Sequence, residues 1–383
     1  MELPEMNLNS IKKEAGKLKG KRVVLRAGLN VPIKDGNIVD GSRILKVLPT
    51  VEFLKNEGAK IIIISHIGRE KDDSLKIVSD EMNKHTSVKF YPKIKDDGLR
   101  GVVSEMHEGE IIMLENLRSE AGETENDIEF AQYLASLGDI YVNDAFAVAH
   151  RSHASIVSLP ALLPPYVGVQ FEEELKHLTL AFNPPRPFLF ILGGAKFKTK
   201  IPLIKKFLDI ADTVFVGGAL SNNFFKEKGL EIGKSMYDDG DFNLGELLNN
   251  EKLIMPCDVI VKNRDDISEK SVNEIDPDDA VWDCGHLTVE DLKRRVQESG
   301  FVLWNGPTGD YLQGFDKSTK ELLSAIAESD TTSIIGGGDT LTLISETGLE
   351  DKFTFVSTGG GAMLDFLADG KLVGIDAIEN SQK

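Results

Sequence analysis

Thr332-Ser333-Ile334-Ile335-Gly336-Gly337-Gly338-Asp339-Thr340 is a short β-branched run that stops at three glycines, an aspartate and a threonine. It predicts a strand feeding a loop that opens a helix, Leu341 to Thr347. Glycines let the backbone come close to a ligand, and a helix start points unpaired N–H groups at an anion. Asp339 is the natural magnesium ligand here, because a hard cation bridging carboxylate and phosphate oxygens is how proteins usually hold a nucleoside di- or triphosphate. Alone, the stretch would read as a tight turn with an aspartate N-cap. The rest of the chain reverses that.

Four other apolar runs in the second half also end in glycine. Phe188 to Leu192 meets Gly193-Gly194-Ala195-Lys196, and Val214-Phe215-Val216 meets Gly217-Gly218-Ala219. Phe301-Val302-Leu303-Trp304 meets Asn305-Gly306-Pro307-Thr308-Gly309, and Phe353 to Val356 meets Ser357-Thr358-Gly359-Gly360-Gly361-Ala362. Runs of strand length alternating with helix-patterned segments signal βαβ units and a parallel sheet, whose ligands bind at the carboxyl ends of the strands. Five such ends on one rim suit an adenosine moiety with its phosphates. Lys196 and Lys200, at i and i+4, would project from one helix face toward those phosphates or form a solvated lysine face. Gly229 to Ser235 is one residue short of a Walker A loop and follows no strand, and Asp276 to Asp279 reads as a solvated acidic loop.

The first half alternates in the same way, but its strand ends carry basic residues. Arg22 to Leu25 leads to Arg26 and Asn30, Ile61 to Ile64 to Ser65-His66-Ile67-Gly68-Arg69, and Ile111 to Leu114 to Glu115-Asn116-Leu117-Arg118. Ile140-Tyr141-Val142 leads through Asn143-Asp144-Ala145-Phe146 to His150-Arg151-Ser152-His153, and Arg43 stands at a helix start after Asp40-Gly41-Ser42. Any one of these arginines could be a surface residue paired with a carboxylate. Four strand ends in a row point instead to a small substrate bearing carboxylate or phosphate, which the guanidinium fork matches bidentately. His150 and His153 read as hydrogen-bonding or packing residues rather than zinc ligands. Between the halves, prolines from Pro160 to Pro165 and at Pro184-Pro185 bracket a helix-like run from Gln170 to Phe182, where a hinge is expected.

A chain of 383 residues predicts two domains. Its net charge of −18 argues against nucleic acid and anionic membranes as partners. Two cysteines without CxxC spacing, no apolar leader in Met1 to Gly20 and no membrane-length apolar run give the expectation of a cytoplasmic protein. A basic rim on one lobe and a glycine rim on the other imply phosphoryl transfer by positioning and charge neutralisation, with Arg43 and Lys196 stabilising the moving group.

These motifs, in this order, resemble the phosphoglycerate kinase family along nearly the whole chain: Leu29-Asn30-Val31-Pro32, Ser65 to Arg69, Leu114 to Arg118, Asn143 to Phe146, His150 to His153, Gly193 to Lys196, Trp304 to Pro307, Gly336 to Thr340 and Ser357 to Ala362. The resemblance implies an α/β fold of two doubly wound, Rossmann-like parallel-sheet lobes joined by a hinge helix. Residues 1–169 would form the lobe for 3-phosphoglycerate, 170–183 the hinge helix, 184–368 the nucleotide lobe, and 369–383 a tail returning to the first lobe. The substrate set would be Asn30, Arg43, His66, Arg69, Arg118 and Arg151. ATP or ADP would be held by Gly194, Ala195, Lys200, Gly218, Asn305, Pro307, Gly337, Gly338, Asp339 and Thr340, with Mg2+ on Asp339. Arg43, Lys196 and Lys200 would be catalytic, and the protein a monomer.

The chain departs from the family pattern at a few places. Gly28 replaces an aspartate that accepts from the substrate hydroxyl, Leu312 a glutamate at the ribose, and Val281 a glycine bordering the base. Glu70 replaces a proline, and Ala147-Val148 a Gly-Thr pair. The leading expectation is a working phosphoglycerate kinase with looser nucleotide selection. A kinase for another small carboxylic acid, and a weak binding protein of the same fold, are the alternatives.

Overall fold

The structure is a computed structural model that describes residues 6–68 and 73–382. The chain divides into two compact units. The first runs to Lys176 and takes up the chain again from Gly361, and the second is His177–Gly360. The earlier crossing lies inside the helix Val169–Leu178, which continues as a 3-10 turn, Thr179–Phe182. The later one comes ahead of residue 369, because the helix Gly361–Asp369 already packs in the first unit, where Phe366 meets the Phe146 ring edge-on at 6.1 Å between centroids.

In the first unit six parallel strands lie in the order Lys89–Tyr91, Ile111–Leu114, Lys60–Ile64, Arg22–Ala27, Ile140–Asp144, Pro165–Val167. Helices cover both faces, so the central strands are apolar on both sides. Val23 and Leu25 enter one core with Val47 and Val51 of the helix Ser42–Asn56, and Val24 enters the other with Phe130 and Leu134 of the helix Ile128–Ala135. The strand order reverses between Arg22–Ala27 and Ile140–Asp144, where Arg26 is level with Asn143. Ligands of doubly wound sheets bind at such a switch point.

The second unit repeats the design with the order Leu253–Ile254, Thr213–Val216, Phe188–Leu192, Phe301–Asn305, Thr332–Gly336, Phe355–Ser357, all parallel. Its switch point lies between Phe188–Leu192 and Phe301–Asn305, with Leu192 level with Asn305. The last strand starts two residues later than its apolar run suggests, because the 3-10 turn Glu350–Lys352 takes the Phe353 N–H onto the Glu350 carbonyl at 3.3 Å.

One feature of this unit has no counterpart in the alternation. Asp266–Ser271, Asp258–Asn263 and Ala280–Cys284 form a three-stranded antiparallel sheet over a small core of Phe225, Ile232, Val259, Val261 and Ile275. Asp279 is therefore not a solvated loop residue. It is 1% exposed and accepts from Lys270 Nζ at 2.7 Å, Asp276 N at 2.9 Å and Asn263 Nδ2 at 3.3 Å. The stretch Gly229 to Ser235 follows the helix Ala219–Glu227, and Ser235 Oγ accepts from Val281 N at 2.8 Å, so it is no phosphate loop.

Candidate active site

The carboxyl ends of the first sheet gather basic groups. His66, 4% exposed, stands two residues past the end of the strand Lys60–Ile64, and its imidazole lies in the fields of Arg26, Arg118, His153 and Arg43. Burial first, then those charges, push its pKa well below the ordinary 6.5. Arg118 sits in the 3-10 turn Leu117–Ser119 behind an Asn116 cap, and its Nη1 donates to the Gly68 carbonyl. Asn30 Oδ1 accepts from Gly68 N at 2.8 Å, so both residues grip the same backbone turn. Arg151 is exposed, beside His150 and His153; burial lowers the pKa of both, that of His153 to about 4. Arg69 and Glu70 lie outside the described residues.

Arg43 is the second residue of the helix Ser42–Asn56, whose start is fixed by Asp40 accepting from Ser42 N at 2.8 Å and Ser42 Oγ at 3.0 Å. Desolvation lowers its pKa, while Glu174 and Asp40 oppose that, and it stays a cation. Glu174 is fully buried on the helix Val169–Leu178. That helix is tied to the first unit at its start: Thr50 Oγ1 accepts from Val169 N at 2.9 Å and Asp144 Oδ1 from Phe171 N at 3.0 Å. Burial pushes Asp144 up to about 6.

In the second unit the rim is made of backbone. A Cβ on Gly193 would run into the Pro307 carbonyl, one on Gly306 into Gly193 O, and one on Gly218 would lie 2.9 Å from Gly194 N. Gly194 N donates to Pro307 O at 2.9 Å and Gly193 N to Asn305 O at 2.9 Å, closing the loops after the two switch-point strands onto one another. Gly337, with φ +107°, caps the helix Gly338–Thr347, and a Cβ there would lie 3.2 Å from Gly306 N and 3.4 Å from Thr340 Oγ1. That hydroxyl is buried and has no partner among the described residues. Ala195 is exposed, its carbonyl accepting from Phe197 N at 3.0 Å.

The two lysines do not share a face. Lys196 is exposed at the N-cap of the helix Phe197–Ile210, whereas Lys200, one turn in, is buried with Nζ on the Gly193 carbonyl and 3.4 Å from Asn305 Oδ1. Burial lowers its pKa to about 8, against the pull of Asp339. Asp339 is exposed in the first turn of its helix, and Tyr311 Oη donates to its Oδ1 at 3.2 Å. Tyr311 is a residue beside the candidate site that strand-end motifs did not reveal, and Arg26, read at a strand end, was not singled out for the substrate set. Tyr311 sits in a turn after Asn305 to Gly309, and Arg26 lies inside its strand.

The departing positions are explained in part. Gly28 is not in the left-handed region, and a Cβ there would make only ordinary contact, 3.5 Å from Ala145 Cα. Leu312 is 75% exposed, and Val281 packs at the edge of the small antiparallel core. Among the described residues, Asp258, Glu269 and His286 bring ligand-type atoms within 4.8 Å, but Asp258 accepts from Leu287 N and Thr288 N and Glu269 from His286 N, so the trio caps the helix His286–Glu298.

Among the described residues no helix is long and apolar enough to cross a membrane. The family model for phosphoglycerate kinase matches residues 13–371. A phosphoglycerate kinase from Wolbachia sp. subsp. Drosophila simulans (strain wRi) is 43% identical, the match covering 98% of this chain and 99% of the relative. The solved phosphoglycerate kinase of Coxiella burnetii superposes with a TM-score of 0.83 at 34% identity over 98% of this chain and 100% of its own. That of Pyrococcus horikoshii OT3 gives 0.87 at 29% identity over 98% and 99%. Matches of this length do not favour the two alternatives, a kinase for another acid or a silent binding protein. The chain belongs to the phosphoglycerate kinase family and is a phosphotransferase whose acceptor is a carboxyl group.

Proposed function

We propose that the chain moves a phosphoryl group reversibly between 1,3-bisphosphoglycerate and ADP, giving 3-phosphoglycerate and ATP, as a cytoplasmic monomer with no nucleic-acid or membrane partner. The observation that carries this reading is that one sheet gathers Arg43, His66 and Arg118 near the carboxyl ends of its strands, while the other presents the Gly194, Gly306 and Gly337 loops at its own. In it, Asn30, Arg43, His66, Arg69, Arg118 and Arg151 bind the phosphoglycerate, and Gly194, Ala195, Gly218, Asn305, Pro307, Gly337, Gly338 and Thr340 the nucleotide. Transfer requires bringing the two ligands together, for which residues 170–183 are the proposed hinge.

The partnerless Thr340 hydroxyl and the glycine cradle fit phosphate oxygens, and the exposed Asp339 carboxylate beside them fits Mg2+, a hard ion that prefers such oxygens. When bound, Mg2+ would neutralise phosphate charge. Lys200, held against the Gly193 carbonyl and near Asn305, directs its ammonium at the same cradle. Arg43 and the exposed Lys196 stabilise the charge of the transferring group, an effect that appears in the transition state. A spectrophotometric assay with ATP and 3-phosphoglycerate, with and without magnesium, tests the reading. Magnesium-dependent turnover is expected. No turnover at millimolar substrate, with another hydroxyacid accepted instead, would overturn it.

A further inference from the structure

Arg26 is fully buried at the end of the Arg22–Ala27 strand, and its fork is held by neutral acceptors. Nε donates to Ser155 Oγ at 3.0 Å, Nη1 to the Ala27 carbonyl at 2.7 Å and to Ser65 Oγ at 3.5 Å, and Nη2 lies 2.9 Å from His66 Nδ1. The counter-charge is one hydrogen bond further on. Glu123, fully buried, accepts from Ser155 Oγ at 2.6 Å and Ser155 N at 3.0 Å, while Tyr141 Oη donates to Ser155 O at 2.6 Å. A buried charge needs such support on every side, and here the support also grips one ring nitrogen of a residue on the basic rim.

A guanidinium has only donors, so a ring nitrogen in hydrogen-bond contact with it must be the acceptor. The contact therefore keeps the proton off Nδ1 and leaves it on Nε2. We infer that Arg26 is a positioning residue that locks His66 as the neutral Nε2–H tautomer, so that His66 meets an anionic substrate as a neutral hydrogen-bond donor and not as a cation. The inference rests on the assignment of His66 to the phosphoglycerate site proposed above. Of the other groups facing the ring, the cations Arg118 and Arg43 oppose a proton on it as well, as does His153 when protonated, and Glu123 lies 3.7 Å from His153 Nδ1 rather than on His66. Charge neutralisation then belongs to the arginines, and His66 supplies direction, from a donor whose state does not change across the physiological pH range.

Nitrogen-15 NMR of the histidine rings tests this without substrate, with His66 identified by the signal missing in His66→Gln. The wild-type ring is expected to show the Nε2–H pattern unchanged from about pH 8 to about pH 5.5, across the range where an ordinary histidine titrates. An Nδ1–H pattern, or a ring that titrates near its ordinary value, would overturn the inference. Arg26→Lys keeps a charge near Glu123 but loses the fork. In it His66 is expected to titrate, and the KM for 3-phosphoglycerate to rise roughly tenfold, the low end of what loss of an outer-shell partner costs, with kcat little changed. An unchanged ring and an unchanged KM in that variant would also overturn the inference. Should Arg26→Lys fail to fold, the wild-type spectrum decides by itself. A wild-type chain that shows the Nε2–H ring but does not turn over 3-phosphoglycerate leaves the tautomer standing and removes the functional reading instead.

Discussion

In the first unit the strand ends present side chains, with Arg43, His66 and Arg118 converging over a buried layer of Arg26, Ser155 and Glu123. In the second they present backbone, with Gly193 and Gly306 packed too closely for any Cβ, Gly337 at positive φ in tight contact with Gly306, and the buried Thr340 hydroxyl without a partner among the described residues. Both sheets are six-stranded, parallel and reversed at one point. In the proposed reading the same architecture thus carries two kinds of anion site. One is built of charge, so it is sensitive to charge deletion. The other is built of close approach, so it is sensitive to added volume.

The largest effect expected from this contrast is on catalysis. Arg43→Ala should lower kcat by about 10³-fold or more, the scale of an arginine that stabilises a transferring phosphoryl group, and change KM much less. Steady-state kinetics checks it, and a variant keeping most of its kcat would remove Arg43 from the mechanism.

A carboxylate added to the side-chain site should sharpen it. At Gly28 an aspartate could accept from the substrate hydroxyl, a charge-assisted bond of roughly 1.5–3 kcal/mol, so Gly28→Asp should lower the KM for 3-phosphoglycerate by about tenfold or more. The backbone there is not left-handed, and a Cβ meets nothing closer than 3.5 Å, so neither strain nor crowding opposes the change. A KM unchanged or raised in Gly28→Asp would mean that residue 28 does not face the hydroxyl.

The smallest effect is on stability against pH. His66, His150 and His153 have depressed pKa values when folded, so the unfolded chain takes up protons first and the first unit loses stability as pH falls below 6.5. Asp144, pushed up to about 6, and Asp365, also raised by burial, work in the opposite sense but are two carboxyl groups against three histidines. In the second unit Asp283 is likewise raised to about 6 by burial, so its contribution is present at low pH and is lost as pH rises through about 6. Hydrogen exchange at about pH 7 and pH 5 should show first-unit amides losing roughly 1 kcal/mol of opening free energy relative to second-unit amides. Equal change in both units would contradict the assignment of buried histidines to the first.

The sequence carried much of this because both sites hang on strand ends. A run such as Ile61 to Ile64 announces itself by hydrophobicity, and the residues that follow, His66 or Gly193-Gly194, then fall at the rim by topology alone. What lay beneath the rim was less legible. Arg26 sits inside an apolar strand, and only the fold brings Ser155 and Glu123 against it from positions 129 and 97 residues away. Lys200 at i+4 reads as sharing one helix face with Lys196, because periodicity cannot show that a helix starts after Lys196 and turns the later side chain inward. The antiparallel sheet was missed because Asp266–Ser271 has no apolar run, and the burial of Asp279 was missed with it.

The central claim, that one site is made of side chains and the other of close backbone, is tested most directly by separate calorimetric titrations of 3-phosphoglycerate and of ADP with magnesium into Gly337→Ala. This substitution adds one methyl group at φ +107° and 3.2 Å from Gly306 N, and alters no charge. The nucleotide Kd is expected to rise by tenfold or more, about 1.4 kcal/mol, with 3-phosphoglycerate binding unchanged. Unaltered nucleotide binding, or equal loss of both ligands, would contradict the account.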